Sequence, residues 1–244
     1  EYKSAEEAVR QIKSGDRVFI QGGACTPSYL ISHLAKRKDE LRDVELVFIT
    51  VYGDLIVDAP EYADSFHINT MFVSASVRNS INEGRADFIP VFLSEIPELF
   101  RRGVLPLDVA IVQVSPPDKK GYCSMGVSVD IARSAVNSAS HVIAQVNPRV
   151  PRTHGDSFIH SSQFDAMVFT DEPLHAAGAP AQLTAEEMKI GEHIAPLVSD
   201  RSTLQLGIGC IPDAVCKFLT NHKDLGVHTE MFSDGLIELC EKGV

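Results

Sequence analysis

Two short stretches toward the carboxyl end hold the residues with the clearest chemical potential. The first is Leu206-Gly207-Ile208-Gly209-Cys210-Ile211-Pro212, a glycine-rich turn between an apolar run and a helical pattern. Backbone N–H groups in such a turn can approach an anion or a carbonyl oxygen, helped by the positive end of the helix. The turn lacks the third glycine of a dinucleotide fingerprint and the Lys-Ser/Thr of a P-loop. A plain strand–helix turn therefore stays open beside a binding role. The second stretch is Gly226-Val227-His228-Thr229-Glu230-Met231-Phe232-Ser233-Asp234-Gly235. Val227 to Phe232 reads as a short buried strand, yet Glu230 stands inside it. A carboxylate buried without a partner is costly, or is driven toward its neutral form. Glu230 follows the Gly207 turn by roughly 20 residues, a spacing that in a parallel α/β sheet puts both at the carboxyl-end rim, where ligands bind. There a carboxylate can serve as ribose ligand, general base or nucleophile, with a structural role as the alternative.

Gln21-Gly22-Gly23-Ala24 makes a similar turn near the start of the chain, and the N–H groups of Gly22 and Gly23 are candidates for an oxyanion or substrate loop. Val114 to Gly126 forms a long polar loop after a strand, read as turn chemistry first and as substrate lining second. His154, Asp156, Ser157 and His160 lie close in sequence, but no G-x-S-x-G elbow accompanies them, which argues against a hydrolytic triad. The five cysteines, Cys25, Cys123, Cys210, Cys216 and Cys240, show no zinc-ligand spacing. They read as small buried apolar residues in a reducing cytoplasm, with no metal site.

These groups need a scaffold. Ser4 and Glu7 form a capping box, and Gly15 ends the first helical pattern. Arg17–Gln21 reads as a strand, followed by a helix from Thr26-Pro27 to about Arg37 and a strand over Val44–Thr50. Further strands are expected in Met71–Ser76, Phe88–Leu93, Leu107–Val114, His141–Val146 and Asp165–Thr170, with a helix over Val129–Ala139. Val/Ile/Phe-rich strands alternating with helices predict an α/β fold with a mainly parallel open sheet flanked by helices. Residues 171–183 are rich in Pro, Gly and Ala and read as a linker. Thr184 and Glu187 form a second capping box, for a helix to about Val198. The chain of 244 residues thus divides into an N-terminal α/β domain with linker, 1–183, and the start of a second one, 184–244.

The restart resembles the beginning. Arg17 to Glu40 and Ser202 to Asp224 each run strand, glycine turn, Pro-started helix, basic end. Pro27 to Phe48 is 21 residues and Pro212 to Phe232 is 20. Matching the two phenylalanines sets Glu230 opposite Leu46, a carboxylate where the first copy has a core leucine. The net charge of −11 argues against nucleic acid or an acidic membrane as partner. No apolar run approaches the roughly 18 residues needed to span a bilayer.

With these motifs in view, the chain resembles the acetyl-CoA hydrolase/transferase family, class I type CoA-transferases, and in particular its 4-hydroxybutyrate CoA-transferase branch. Ile12–Arg17 (IKSGDR), Phe88–Pro97, Val114–Ser128 and Gly155–His160 share the likeness, which runs along the whole chain. The resemblance implies two similar α/β domains, the second truncated at Val244, with a glycine-rich loop of the family falling beyond it. It implies that Glu230, in an H-[ST]-E-M setting, is the catalytic nucleophile and that Gly207, Ile208, Gly209, Cys210 and Ile211 contact coenzyme A. CoA is then a substrate and no bound cofactor is needed. A short-chain acyl-CoA (acetyl, butyryl or 4-hydroxybutyryl) and a free carboxylate would be the small-molecule partners. A homo-oligomer such as a dimer is the expected assembly. Hydrolysis of acetyl-CoA by the same glutamate and a non-catalytic CoA-binding domain are the alternatives.

Overall fold

The computed structural model describes residues 1–176 and 182–244, so the middle of the 171–183 linker lies outside the described residues. The chain forms two compact units that divide between Ala177 and Gly178.

The first unit begins with α1 (Ala5–Val9), where the Ser4–Glu7 capping box forms in both directions. The helix is shorter than expected. It ends at Val9, and Gly15, at φ +81°, instead turns the chain into β1 (Arg17–Ile20). Then come α2 (Ser28–Ala35), β2 (Val44–Phe48), β3 (Phe66–Thr70), α3 (Arg78–Asn82), β4 (Ala86–Phe88), α4 (Ile96–Arg101) and β5 (Val109–Val114). Next are β6 (Tyr122–Ser124), α5 (Ala132–Ser138), β7 (His141–Val146), β8 (Phe158–His160) and β9 (Ala166–Phe169). Seven strands make one sheet in the order β4-β3-β2-β1-β5-β7-β9. Every neighbouring pair in it is parallel. β6 and β8 pair antiparallel as a separate ribbon.

Alternation along the strands separates two cores. Val18 and Ile20 face α1 and α2, packing with Leu30, Leu34, Leu46, Phe48 and Ile111. Phe19 and Val47 face the other way, toward Phe100 of α4 and Ala132 and Ala135 of α5. Both sides of the central strands are therefore covered, as their unbroken apolar sequences require.

Two strand expectations are corrected. The segments Met71–Ser76 and Phe88–Leu93 are displaced: pairing ends at Thr70 in β3 and at Phe88 in β4, so only Phe88 of the expected residues is in a strand. In β3 the burial alternates through Phe66, Ile68 and Thr70, while His67 and Asn69 break the apolar run and hid the strand.

The second unit opens with α6 (Ala185–Ile194), capped by the reciprocal Thr184–Glu187 box. It continues with β10 (Thr203–Leu204), α7 (Cys210–Phe218), β11 (Gly226–Val227) and α8 (Asp234–Lys242). β10 and β11 form a two-stranded parallel sheet. Its own core comprises Ala195, Leu206, Val215, Cys216, Leu219, Leu236 and Leu239. The expected strand Val227–Phe232 shrinks to Gly226–Val227, and Met231 and Phe232 are exposed.

Ile111 is fully buried and pairs with Ile20 on one side and Ile143 on the other. Ile111→Ala leaves a cavity in the middle of the sheet, so it is expected to lower stability by about 3 kcal/mol. The shift of the denaturant midpoint measures it.

Candidate active site

The strand order reverses between β1 and β5, since β2, β3 and β4 extend to one side and β7 and β9 to the other. Such a switch point opens a crevice at the carboxyl ends of the two strands. A cavity of about 580 Å³ lies there, lined among others by Thr26, Ser28, Gln113, Gln145, Glu172 and His175. Its floor is a buried amide chain. Gln21 donates to the Met125 and Ser128 carbonyls at 3.2 and 2.7 Å and accepts from the Gln113 backbone N–H at 2.6 Å. Gln113 Oε1 accepts from Gln145 and Asn147 at 3.0 and 2.8 Å. Gln145 Oε1 in turn accepts the Leu30 N–H at 3.2 Å, capping the start of α2. Sequence reading missed Gln113, Gln145 and Asn147. The signal was present as amides inside or just after otherwise apolar strands.

Gly22 and Gly23 follow Gln21 in the chain, and their glycine character has a packing cause. A Cβ on Gly22 would lie 2.2 Å from the Thr50 carbonyl oxygen. Gly23, at φ +57°, would place one 2.6 Å from Ser128 Oγ. The Gly23 N–H donates to the Thr50 carbonyl at 2.8 Å, so that donor is already engaged.

In the second unit the candidates Gly207–Ile211 and Glu230 come together. Gly207 to Gly209 link β10 to α7, and Gly209, with φ 114° and ψ −178°, is the N-cap. That conformation is open essentially only to glycine. Among the described residues, no atom beyond the chain neighbours lies within 4 Å of a Cβ placed on Gly207 or Gly209, and Ile208 is exposed. Thr229 ties the turn to the segment after β11. Its Oγ1 accepts the Leu206 N–H at 3.1 Å and donates to the Leu206 carbonyl at 2.7 Å. Glu230 is one residue beyond this clamp and Gly207 is one residue beyond its partner.

The register replaces the match inferred from sequence. Val18 pairs with Leu46 in the first unit and Thr203 with Gly226 in the second. Aligning Pro27 with Pro212 superposes Val18 on Thr203, so Leu46 corresponds to Gly226 and Glu230 to Thr50. Glu230 therefore does not replace a core leucine. It follows the end of the strand, is exposed, and has no hydrogen bond or ion pair among the described residues.

Cys210 is the other potential nucleophile of the turn. Burial pushes its thiol pKa up, and the nearby carboxylate of Glu187 pushes the same way. Burial likewise raises Cys25, and takes Cys123 and Cys216 to about 11. Cys25, Cys123 and Cys216 are buried as expected, whereas Cys210 is half-buried and Cys240 exposed. Among the described residues no cluster of His, Cys, Asp and Glu is placed to hold a metal, and no helix is long and apolar enough to cross a membrane.

A family model described as acetyl-CoA hydrolase/transferase N-terminal domain matches residues 1–177, the whole first unit. The chain belongs to the acetyl-CoA hydrolase/transferase family. It is 46% identical over 243 residues to a succinyl-CoA:acetate/propanoyl-CoA:succinate CoA transferase of Fasciola hepatica, covering 98% of this chain and 50% of that one. It is also 46% identical to a 4-hydroxybutyrate coenzyme A transferase of Clostridium kluyveri, covering 99% of this chain and 56% of that one. Among solved structures, RipA from Yersinia pestis aligns with a TM-score of 0.93 at 30% identity, over 100% of this chain and 59% of that one. The chain thus spans about half the length of these family members.

Two expectations follow. Gly22→Ala drives a side chain into backbone and is expected to cost on the order of 3 kcal/mol of stability, read as a lowered melting temperature. Glu187→Gln keeps the capping-box acceptor but removes a carboxylate that raises the Cys210 thiol. More thiolate should then form, so alkylation of Cys210 at a fixed, mildly alkaline pH should quicken; mass mapping of the modified peptide checks it.

Proposed function

We propose that the protein carrying this chain is a CoA-transferase with Glu230 as its nucleophile. The observation that carries the reading is the placement of Glu230: an exposed carboxylate with no partner among the described residues, one residue past a clamp that ties it to the glycine turn. The transferase names of relatives with 46% identity support the same reaction class.

The chemistry follows from those groups. A Glu230 oxygen attacks the thioester carbonyl of a short-chain acyl-CoA such as acetyl-, butyryl- or 4-hydroxybutyryl-CoA. The C–S bond breaks, giving an acyl-glutamyl anhydride and CoA thiolate. The thiolate attacks the glutamyl carbonyl of the anhydride, releasing the first carboxylate and leaving a glutamyl-CoA thioester. An acceptor carboxylate attacks that thioester, forming a new anhydride and freeing the thiolate again. The thiolate then takes the acceptor's acyl group, which restores the Glu230 carboxylate. This is covalent catalysis of ping-pong order, and the thioester bond energy is conserved throughout.

Each addition creates an oxyanion that needs fixed donors. We assign that role and contact with CoA to Gly207–Ile211, whose turn is open, rather than to Gly23, whose N–H already serves Thr50. Burial and the nearby Glu187 carboxylate both push the Cys210 thiol up, which disfavours its thiolate as a competing nucleophile. A homodimer in a reducing cytoplasm is the setting we assign.

The test is to incubate the protein with acetyl-CoA, reduce with borohydride and map the modified peptide. Reduction confined to Glu230 is expected, and Glu230→Ala should lower transfer by on the order of 10⁴-fold or more. CoA bound with Glu230 unmodified would sink the nucleophile assignment and leave a CoA-binding domain. Adding acetate separates transfer from hydrolysis: a transferase forms a new acyl-CoA, while a hydrolase releases thiol only.

A further inference from the structure

The two copies of the strand–turn–helix–strand unit part company at one step. In the first copy, the backbone ladder between β1 and β2 carries on past the strands. Gly23 donates to the Thr50 carbonyl and bridges to Val51, so Thr50 is held by its own main chain. In the second copy the main-chain pairing stops at the bond from the His228 N–H to the Leu204 carbonyl, 2.9 Å. The next rung is made by a side chain. The Thr229 hydroxyl takes both the N–H and the carbonyl of Leu206, at 3.1 and 2.7 Å. The residue in the Thr229 position of the first copy is Ile49, which has no such group.

The substitution of side chain for backbone has a geometric consequence. A ladder that ran on through Glu230 would engage its main chain and keep it extended, its direction set by the pleat. A hydroxyl rung ends the ladder one residue earlier while keeping the register. Glu230 is thereby released: neither its main chain nor its carboxylate is hydrogen-bonded among the described residues. After it the chain is next held at the start of α8. There a Cβ on Gly235 would lie 3.0 Å from Cys216 Cβ, and the Leu236 N–H donates to the Ser233 carbonyl. The segment from Glu230 to Phe232 thus hangs between two anchors, and Thr229 is the one that fixes it against the Gly207 turn.

We propose that Thr229 is a positioning residue, whose hydroxyl sets the distance between Glu230 and the Gly207–Gly209 N–H groups. The inference rests on Glu230 being the nucleophile. Attack on a carbonyl needs the reacting atoms aligned at near-contact distance, and a displacement of about 1 Å can cost roughly 100-fold in rate. Thr229→Val keeps the shape and β-branching but removes both hydrogen bonds, whereas Thr229→Ser keeps the hydroxyl.

The experiment compares Thr229→Val, Thr229→Ala, Thr229→Ser and Glu230→Ala in the full chain. Read out are kcat, KM for acetyl-CoA, the affinity for CoA, and the single-turnover rate of borohydride-trappable labelling of Glu230. The expected result is a kcat and a labelling rate about 100-fold down in the Val and Ala variants. KM and CoA affinity should stay close to the parent, and the Ser variant should recover most of the rate. CoA affinity in the parent range marks a folded variant, and the Ala variant stands in if the Val variant does not fold. Full kcat in a variant without the hydroxyl, beside an inactive Glu230→Ala, overturns the positioning role alone. A Ser variant as slow as the Val variant overturns it too. Full activity in Glu230→Ala overturns the nucleophile reading, and the positioning role with it.

Discussion

The structure depends on the parallel pairing of β1 with two strands at once. Because β2 lies on one side of it and β5 on the other, the chain leaves the sheet centre in opposite directions and a crevice opens where it does so. Because both faces of these strands are buried, any polar group at their ends must find partners inside the protein. The amides of Gln21, Gln113, Gln145 and Asn147 answer that requirement together, each buried and each bonded to the next or to nearby backbone. Such a network stiffens the rim when complete, since each member in a low-dielectric interior is costly to leave unpaired. The β1–α2 turn and the start of α2 hang on it, through the bonds from Gln113 to the Thr26 carbonyl and from Leu30 to Gln145.

The second unit solves a smaller problem with the same parts. Two strands of two residues would not hold alone. Here α6, α7 and α8 close a core around Leu206, Val215 and Leu236, and Thr229 adds a rung beyond the strands proper. The puzzle of a glutamate in an apolar strand dissolves in this geometry. Val227 is the last paired strand residue, and Glu230 follows the strand's end. It incurs no burial cost because it is exposed.

Much of the scaffold was legible in the sequence, and the reasons are local. Both capping boxes and the apolar centres of β1, β2, β5 and β7 carry signals that depend on neighbours in sequence. β3 was displaced because its outward face carries His67 and Asn69, which interrupt the apolar run without interrupting the pairing. The repeat was visible, but its register was not. Phenylalanine to phenylalanine was the natural match, whereas the hydrogen bonds align Val47 with Val227. A register is a property of two strands, so spacing in one strand cannot set it. The candidate site residues were picked out by type, a carboxylate and a glycine turn. Their link through the Thr229 hydroxyl is a long-range contact that only the fold reveals.

The two glycine turns show why similar sequences need not do similar work. In the first, the glycines exist because there is no room: Thr50 and Ser128 occupy the space a side chain would need. In the second, among the described residues nothing beyond the chain neighbours stands within 4 Å of the missing Cβ of Gly207 or Gly209. Packing therefore does not explain their glycine character. For Gly209 the backbone conformation does; Gly207 has no positive φ to explain it. An open, side-chain-free surface at the N-terminus of α7 is what a bulky thioester requires if backbone N–H groups are to reach its carbonyl oxygen. The first turn holds the sheet together. The second leaves its surface clear beside a carboxylate that the ladder has released, and that difference is why the proposed chemistry is assigned to the second unit.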